Sequence, residues 1–244
     1  MHPVGAASGV GVGAAAEQAW NAAALACPVR APAWRLWVYR EPAVVLGCSQ
    51  RAQAALAPAA GLEILVRDSG GGAVLVGPWM LGLSAVLPGA HPLVAGGTLA
   101  GYRWLGVAIA LALLRIGVSA EAVEKNRLAL CDLAVSGEHS VAAVRRDWAC
   151  FGSLSPWEVV ARGRKIAGLA QRRQRHGVLL AAGVLLQAPP WVLLCERLGM
   201  ARSEALRLAQ ASTSCAEELP DVELASLSSA LKRSLHEAVE TALA

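Results

Sequence analysis

Gly163-Arg164-Lys165-Ile166-Ala167-Gly168-Leu169-Ala170-Gln171-Arg172-Arg173 is the stretch from which the rest of the chain is read. Its apolar and small residues from 165 to 171 read as a strand. The lysine stands out against the composition, since only three of the 22 basic residues are lysines. An amine has been kept beside Arg164, and an amine is compact and can lose its proton, whereas a guanidinium cannot. Fifteen residues earlier stands Cys150, in Ala149-Cys150-Phe151, next to the only phenylalanine in the protein. A thiol and an amine within reach of each other suit acyl transfer.

Outward from this strand the elements alternate without a clean linker or repeat. Residues 14–27 read as a helix, 34–40 and 43–48 as strands around Glu41-Pro42, and 51–60 as an alanine-rich helix. Strands are expected at 62–66, 73–76 and 80–87, then at 147–151, 157–161, 165–171 and 177–186. Tyr102, Leu105, Ile109, Leu113 and Ile116 form one stripe of a helix over 99–116, with Gly117 placed to cap it. Leu224, Leu227, Leu231, Leu235, Val239 and Leu243 recur at three- and four-residue steps in a helical C-terminal part. Strands in the middle and helices at both ends predict an α+β fold, one domain over residues 1–244 with a mixed, largely antiparallel sheet flanked by helices. Residues 190–244 are expected to be its helical C-terminal part.

With 55% hydrophobic and 16% charged residues the chain is globular rather than disordered. From Ser69 to Tyr102 it carries no Asp, Glu, Lys or Arg. Gly77-Pro78, Pro88-Gly89, Pro92 and Gly96-Gly97 interrupt this run short of the roughly 20 residues a membrane span needs. The N-terminus lacks the pattern of a signal peptide, so a cytoplasmic protein without a membrane is expected. Six cysteines, at 27, 48, 131, 150, 195 and 215, form no C-x-x-C pair, which argues against a metal site. Between Arg145 and Arg175 eight basic residues (Arg145, Arg146, Arg162, Arg164, Lys165, Arg172, Arg173, Arg175) face two acids, Asp147 and Glu158. That segment carries the positive field and suits an acidic protein partner. Few aromatics accompany it and no nucleic-acid motif is present, so no nucleic acid is expected.

Gly70-Gly71-Gly72 follows the strand at 62–66. Three glycines allow either close approach of a ligand to bare backbone or a tight turn, and the run fits neither phosphate-binding fingerprint. Both readings stay open, as they do for Arg67 and Ser69, which either orient a ligand head group or pin the turn.

Taken together, Pro42 to Gln50, Arg67 to Val74, Gly163 to Arg173 and Thr213 to Leu219 resemble the superfamily of lipoate-protein ligases, octanoyltransferases and biotin protein ligases. Ala149-Cys150-Phe151, followed by Ser155-Pro156-Trp157-Glu158-Val159-Val160 and Gly-Arg-Lys-Ile-Ala-Gly, is most similar to the cysteine-dependent octanoyltransferases of the LipM type and related amidotransferases. The resemblance implies a biotin/lipoate-ligase-like catalytic domain. It makes Cys150 the acyl carrier and Lys165 the group that holds the acyl carbonyl. It places substrate against Arg67, Ser69, Gly70, Gly71, Gly72, Ala73, Val74 and Leu75, and against Ala167, Gly168, Leu169 and Gln171. The donor implied is octanoyl-acyl carrier protein or another lipoyl protein. The acceptor is a lysine of a lipoyl-type domain, such as glycine cleavage H protein or an E2 subunit.

The chemistry is coherent in itself: transfer to a lysine is easier when split into two steps through an enzyme thioester, nearby positive charge favours thiolate, and a cation steadies the developing oxyanion. No cofactor is needed, with ATP and Mg entering only if the chain is an ATP-dependent ligase. Two family histidines are replaced, by Val76 and by Ala182, which keeps open a third reading as a non-catalytic paralogue that binds a lipoyl domain. His176 reads as a solvated loop residue.

Overall fold

The computed structural model describes residues 11–56, 61–128 and 148–244. Residues 57–60, Cys131, Arg145, Arg146 and Asp147, on which some of the expectations fall, lie outside them. The fold is α+β and its strands divide into two sheets, a division that composition and periodicity do not reveal. The larger has the order β1 (Ala33–Val38), β5 (Met80–Leu87), β9 (Gly177–Leu185), β8 (Arg164–Gln174), β7 (Val159–Ala161) and β6 (Ala120–Ala122), antiparallel throughout. In the smaller, β2 (Ala43–Leu46) lies between β3 (Glu63–Val66), parallel to it, and β4 (Val74–Val76), antiparallel to it.

Each face of the large sheet has its own cover. On one face β5, β9 and β8 pack against α4 (Thr98–Arg115) and α8 (Leu224–Leu243). The predicted periodicities produce this layer: Leu105, Ile109 and Leu113 of α4 and Leu227, Leu231, Leu235 and Val239 of α8 are all buried. Gly117, at φ 94°, ends α4 as expected, with its N–H bonded to Leu114 O and that of Val118 to Leu113 O. The paired bonds satisfy the last carbonyls of the helix. Among the described residues α4 alone has the length and hydropathy to cross a membrane, and half of it is buried in this layer. The other face meets the small sheet, α1 (Ala14–Ala24), α5 (Trp191–Arg197) and α6 (Arg202–Ala211), around Val44, Leu46, Leu75, Phe151 and Leu194.

Two local features prepare the site. Arg162 (φ 48°) and Gly163 (φ 76°) form the two-residue turn between β7 and β8, and consecutive positive φ values are what the twist of such a hairpin demands. Over its described residues, 148–151, the strand expected at 147–151 is not formed. Ala149 makes one bridge to Ala73, and Cys150–Gly152 then turns as a 3-10 helix. The carbonyl of Cys150, and that of Ser153 just beyond the expected strand, turn instead toward the ammonium group of Lys165.

Candidate active site

Lys165 faces the site because β8 is irregular there. Val159 pairs with Ala167 but Val160 pairs with Lys165, a shift that inserts an extra residue and re-aims the side chain. A Cβ at Gly168 would fall 3.4 Å from Lys165 Cε and 2.7 Å from Cys150 Sγ, so lysine and thiol share the face of Gly168. Lys165 Nζ lies 3.8 Å from Cys150 Sγ, donates to the carbonyls of Cys150 and Ser153, and pairs with Glu158 Oε2 at 2.7 Å. These three bonds use all the ammonium hydrogens. Burial disfavours the charge, yet the negative forms of Cys150 and Glu158 outweigh it and raise the lysine pKa above 10.5.

Glu158 entered the sequence reading only as part of the Ser155–Val160 motif and as a negative charge in a basic run, with no role of its own. It is buried and accepts from Ser155 N at 2.7 Å and from Leu169 N at 3.2 Å, as well as from the lysine. Because β7 begins only at Val159, its carboxylate occupies the position where a strand partner for Leu169 would lie. The preceding Trp157 holds a positive φ of 71°, a conformation costly for a bulky residue, at the corner that aims Glu158 inward.

Lys165 is also held from behind. Its carbonyl accepts from Thr213 N at 2.9 Å, and Arg164 donates to Ser212 O and Thr213 Oγ1. Ser214 caps the short helix α7 (Cys215–Glu218) in a reciprocal box with Glu217. Glu218, with 2% of its side chain exposed, pairs with Arg162 at 3.0 Å and Arg164 at 3.6 Å. The Ser214-x-x-Glu217 spacing was the sequence signal for this strap.

The thiol borders a cavity of about 430 Å³, within the usual range for a small-ligand site, and the lysine stands behind the thiol rather than in the cavity wall. Val45, Val66, Val74, Val76, Met80 and Leu179 supply much of its apolar wall. Two glycines, Gly168 and Gly183, border it. Gly168, Gly183 and Gly82 lie directly opposite one another on β8, β9 and β5. Paired residues point to the same face, so these positions contribute no side chains of their own along this row and leave room for others. Gly82 accommodates the hydroxyl of Tyr39, Gly183 the sulfur of Met80 and Gly168 that of Cys150.

The other expected substrate-binding residues divide. Arg67, Ser69, Val74, Gly168 and Leu169 border the cavity with Cys150. Leu75 does not, because it alternates with Val74 and Val76 and is buried in the core of the small sheet. Ala167 is fully buried and points into the layer beneath α4. Gln171 shares that direction, and its side chain fills the space that Gly101 of α4 leaves free. Gly70, Gly71, Gly72 and Ala73 are structural neighbours rather than cavity wall. Arg67 donates to the carbonyls of Gly70, Gly72 and Val45, which pins the glycine turn. Ala73 then brackets the thiol: its N–H bonds to Trp148 O, and its carbonyl accepts from Cys150 N.

The basic segment is less available than its charge count implies. Lys165 is sealed against Glu158, Arg162 and Arg164 are paired with α7, and Arg172 reaches Asp68 Oδ1 at 3.1 Å. Arg173 and Arg175 remain exposed near the β8–β9 hairpin.

Over residues 16–191 the sequence matches the lipoyl protein ligase A/B catalytic domain. The chain belongs to that family. Octanoyltransferase LipM of Kyrpidia tusciae is 30% identical over 166 residues, 66% of this chain and 57% of the relative. The chain thus spans little more than half the length of that relative. A lipoate protein ligase from T. acidophilum with bound lipoic acid has the same fold, with a TM-score of 0.59 at 17% identity over 92% of this chain and 80% of the other. A bipartite lipoate protein ligase and its E2 lipoyl domain from Thermoplasma acidophilum gives 0.57 at 16% identity, over 92% and 78%. Within this family frame, Val76 and Ala182, the two positions where the resemblance predicts histidine, both border the cavity.

Proposed function

We propose that the protein is an acyltransferase that moves an octanoyl or lipoyl group to a lysine of a lipoyl-type domain through a thioester on Cys150. The observation that carries this reading is the placement of Cys150 Sγ 3.8 Å from Lys165 Nζ, beside an apolar-walled cavity. In the first step the thiolate adds to the carbonyl carbon of a carrier thioester. The carrier thiolate then leaves and takes up a proton. In the second, the neutral amine of the acceptor lysine adds to the enzyme thioester, Cys150 leaves as thiolate, and the amine loses its proton as the amide forms. Lys165 steadies the oxyanion in both steps when the acyl oxygen takes the place of one of the two backbone carbonyls that it now holds. Neither step requires a cofactor.

The donor in this reading is octanoyl-acyl carrier protein or a second lipoyl protein. The acceptor is a lipoyl domain of an E2 subunit or of glycine cleavage H protein, in the cytoplasm. Intact mass measurement after incubation with octanoyl carrier protein tests the proposal. An octanoyl adduct is expected on the wild type and not on Cys150→Ala, and it should be discharged by a lipoyl domain. No adduct, or an adduct that persists in Cys150→Ala, overturns the relay.

A further inference from the structure

We infer that Glu158 is a positioning residue for the second half of the reaction: it anchors the Lys165 ammonium and balances its charge while the acyl group sits on Cys150. This rests on the proposed thioester at Cys150 and deepens that reading. Two groups that carry negative charge face the ammonium, the Cys150 sulfur at 3.8 Å and the Glu158 carboxylate at 2.7 Å. Acylation removes the first, since a thioester sulfur is uncharged. Glu158 is then the only negative partner of the lysine among the described residues.

The ammonium has one firm tie and two replaceable ones. The carbonyls of Cys150 and Ser153 belong to the turn that carries the thiol, and an oxygen with developing charge is a stronger acceptor than either. Glu158 is not displaced in the same way, because it is held from several sides. Its oxygens also accept from Ser155 N and Leu169 N. Its backbone is tied to Val123, whose carbonyl accepts from Trp157 N at 2.7 Å and whose N–H donates to the Glu158 carbonyl at 2.9 Å. Behind this corner the carbonyl of Trp157 fills the space that Gly106 of α4 leaves free, where a Cβ would fall 2.0 Å from it. The positive φ of Trp157 is thus over-determined by its neighbours, as strain kept at a functional site must be.

The two steps make unequal demands on this mount. In loading, the attacking thiolate brings a negative charge that passes to the oxyanion, so the ammonium never lacks a partner. In discharge the nucleophile is a neutral amine, and a buried ammonium needs a fixed carboxylate to stay charged until the oxyanion forms. Burial disfavours that charge, and Cys150 and then Glu158 offset it. The other titratable groups nearby do not replace Glu158. Tyr102 of α4 is kept neutral by burial and then by Glu158 and Cys150, and Arg67 at the cavity margin is itself a cation.

The test separates the steps by intact mass: loading from octanoyl carrier protein, then discharge of the purified octanoyl-enzyme to a lipoyl domain. Glu158→Gln should slow discharge about a hundredfold, the effect of losing one oxyanion donor, and should slow loading about tenfold or less, so that the adduct accumulates. Relative to wild type, the discharge deficit should grow from pH 7 to pH 9 as the unbalanced ammonium loses its proton. Glu158→Asp, which keeps the charge, should recover part of the rate. Equal slowing of both steps, or a discharge deficit that does not change with pH, is what a merely structural role would give and overturns the inference. A second measurement leaves Glu158 in place. The chain has three lysines, so 13C-lysine labelling gives three Cε resonances, and Lys165 is assigned by its absence in Lys165→Arg. In Cys150→Ala, which lacks the thiolate as the acyl-enzyme does, the Lys165 resonance should hold its ammonium position from pH 7 to pH 9. Titration within that range overturns the inference even if Glu158→Gln does not fold. If the wild type takes up no octanoyl group, the relay has failed rather than the anchor, and the labelled Cys150→Ala protein decides the anchor alone.

Discussion

Glu158 Oε2 lies 2.7 Å from Lys165 Nζ with 3% and 2% of the two side chains exposed, so the site's ammonium is balanced inside the protein rather than by solvent. Removing one member of a buried pair strands the other, at a cost of about 3–5 kcal/mol. Glu158→Gln keeps the shape and removes the charge. A fall in Tm of about 10 °C is expected, at about 2–4 °C per kcal/mol for a chain of this size. The pH dependence is distinctive. In the wild type the raised lysine pKa contributes stability that is complete below the unfolded value and lost only as pH rises through the folded one. In the variant both contributions of Glu158 are gone and that of Cys150 remains, so the folded pKa falls below that of the wild type. The Tm deficit should therefore shrink between pH 7 and pH 9, and scanning calorimetry at both values checks the sign.

Gly168→Ala tests the approach of thiol to strand. The new Cβ would lie 2.7 Å from Cys150 Sγ, so the sulfur must move. Overpacking of this kind costs about 1–3 kcal/mol, whereas an ångström of misplacement at a reacting atom can cost about a hundredfold in rate. Loss of acyl loading by about that factor in a protein that still melts cooperatively is the expected result. Unchanged loading would contradict the geometry.

The glycine turn makes contrasting demands at neighbouring positions. A Cβ on Gly47 would fall 1.9 Å from Gly71 O, which is backbone and is locked in place through Arg67, whereas a Cβ on Gly70 meets nothing within 4 Å. Gly47→Ala should cost about 3 kcal/mol or more by forcing the turn apart, and Gly70→Ala should stay within about 0.5 kcal/mol of wild type. Denaturant titration of the two variants checks the ranking.

Much of this arrangement was legible in the chain itself, and what escaped did so for physical reasons. The three- and four-residue steps on α4 and α8 became the covering layer, because such stripes have little else to do than bury themselves. Lys165 was legible because the composition avoids lysine. The turn at Cys150 was not, since its cause is an ammonium group fifteen residues away. Nor was Glu158, because a lone acid among arginines reads as a solvated charge until the fold brings it to Leu169 N and Lys165. Leu75, Ala167 and Gln171 were assigned to the cavity, but strand alternation turns them away from it. A sequence reveals that faces alternate without saying which face is inward, and the irregularity beside Val159 and Val160 exchanges them locally. Glu17 and Asn21, four residues apart among alanines, were a legible pair on one face of α1 that went unused, and both border the cavity.

Glu17 supplies a further test. Its pKa is raised chiefly by burial, so its contribution to stability is complete below the ordinary glutamate value near ~4.3 and is lost as pH rises through the folded value. Glu17→Gln cannot ionise. The Tm of the variant relative to wild type should climb from pH 4.5 to pH 8, and a flat difference across that range would contradict the burial argument.

The strap behind β8 sets a practical limit on redesign. Thr213 N holds the carbonyl of Lys165, and Glu218 holds the two arginines that flank it. A minimal fragment cut where the last strand ends, after Leu185, would keep the thiol, the lysine and the carboxylate and lose the brace that sets the lysine's backbone. The smallest piece worth expressing therefore runs through Glu218 and on to the end of α8, whose buried leucines cover the sheet, and a foreign segment is safest joined beyond Leu243.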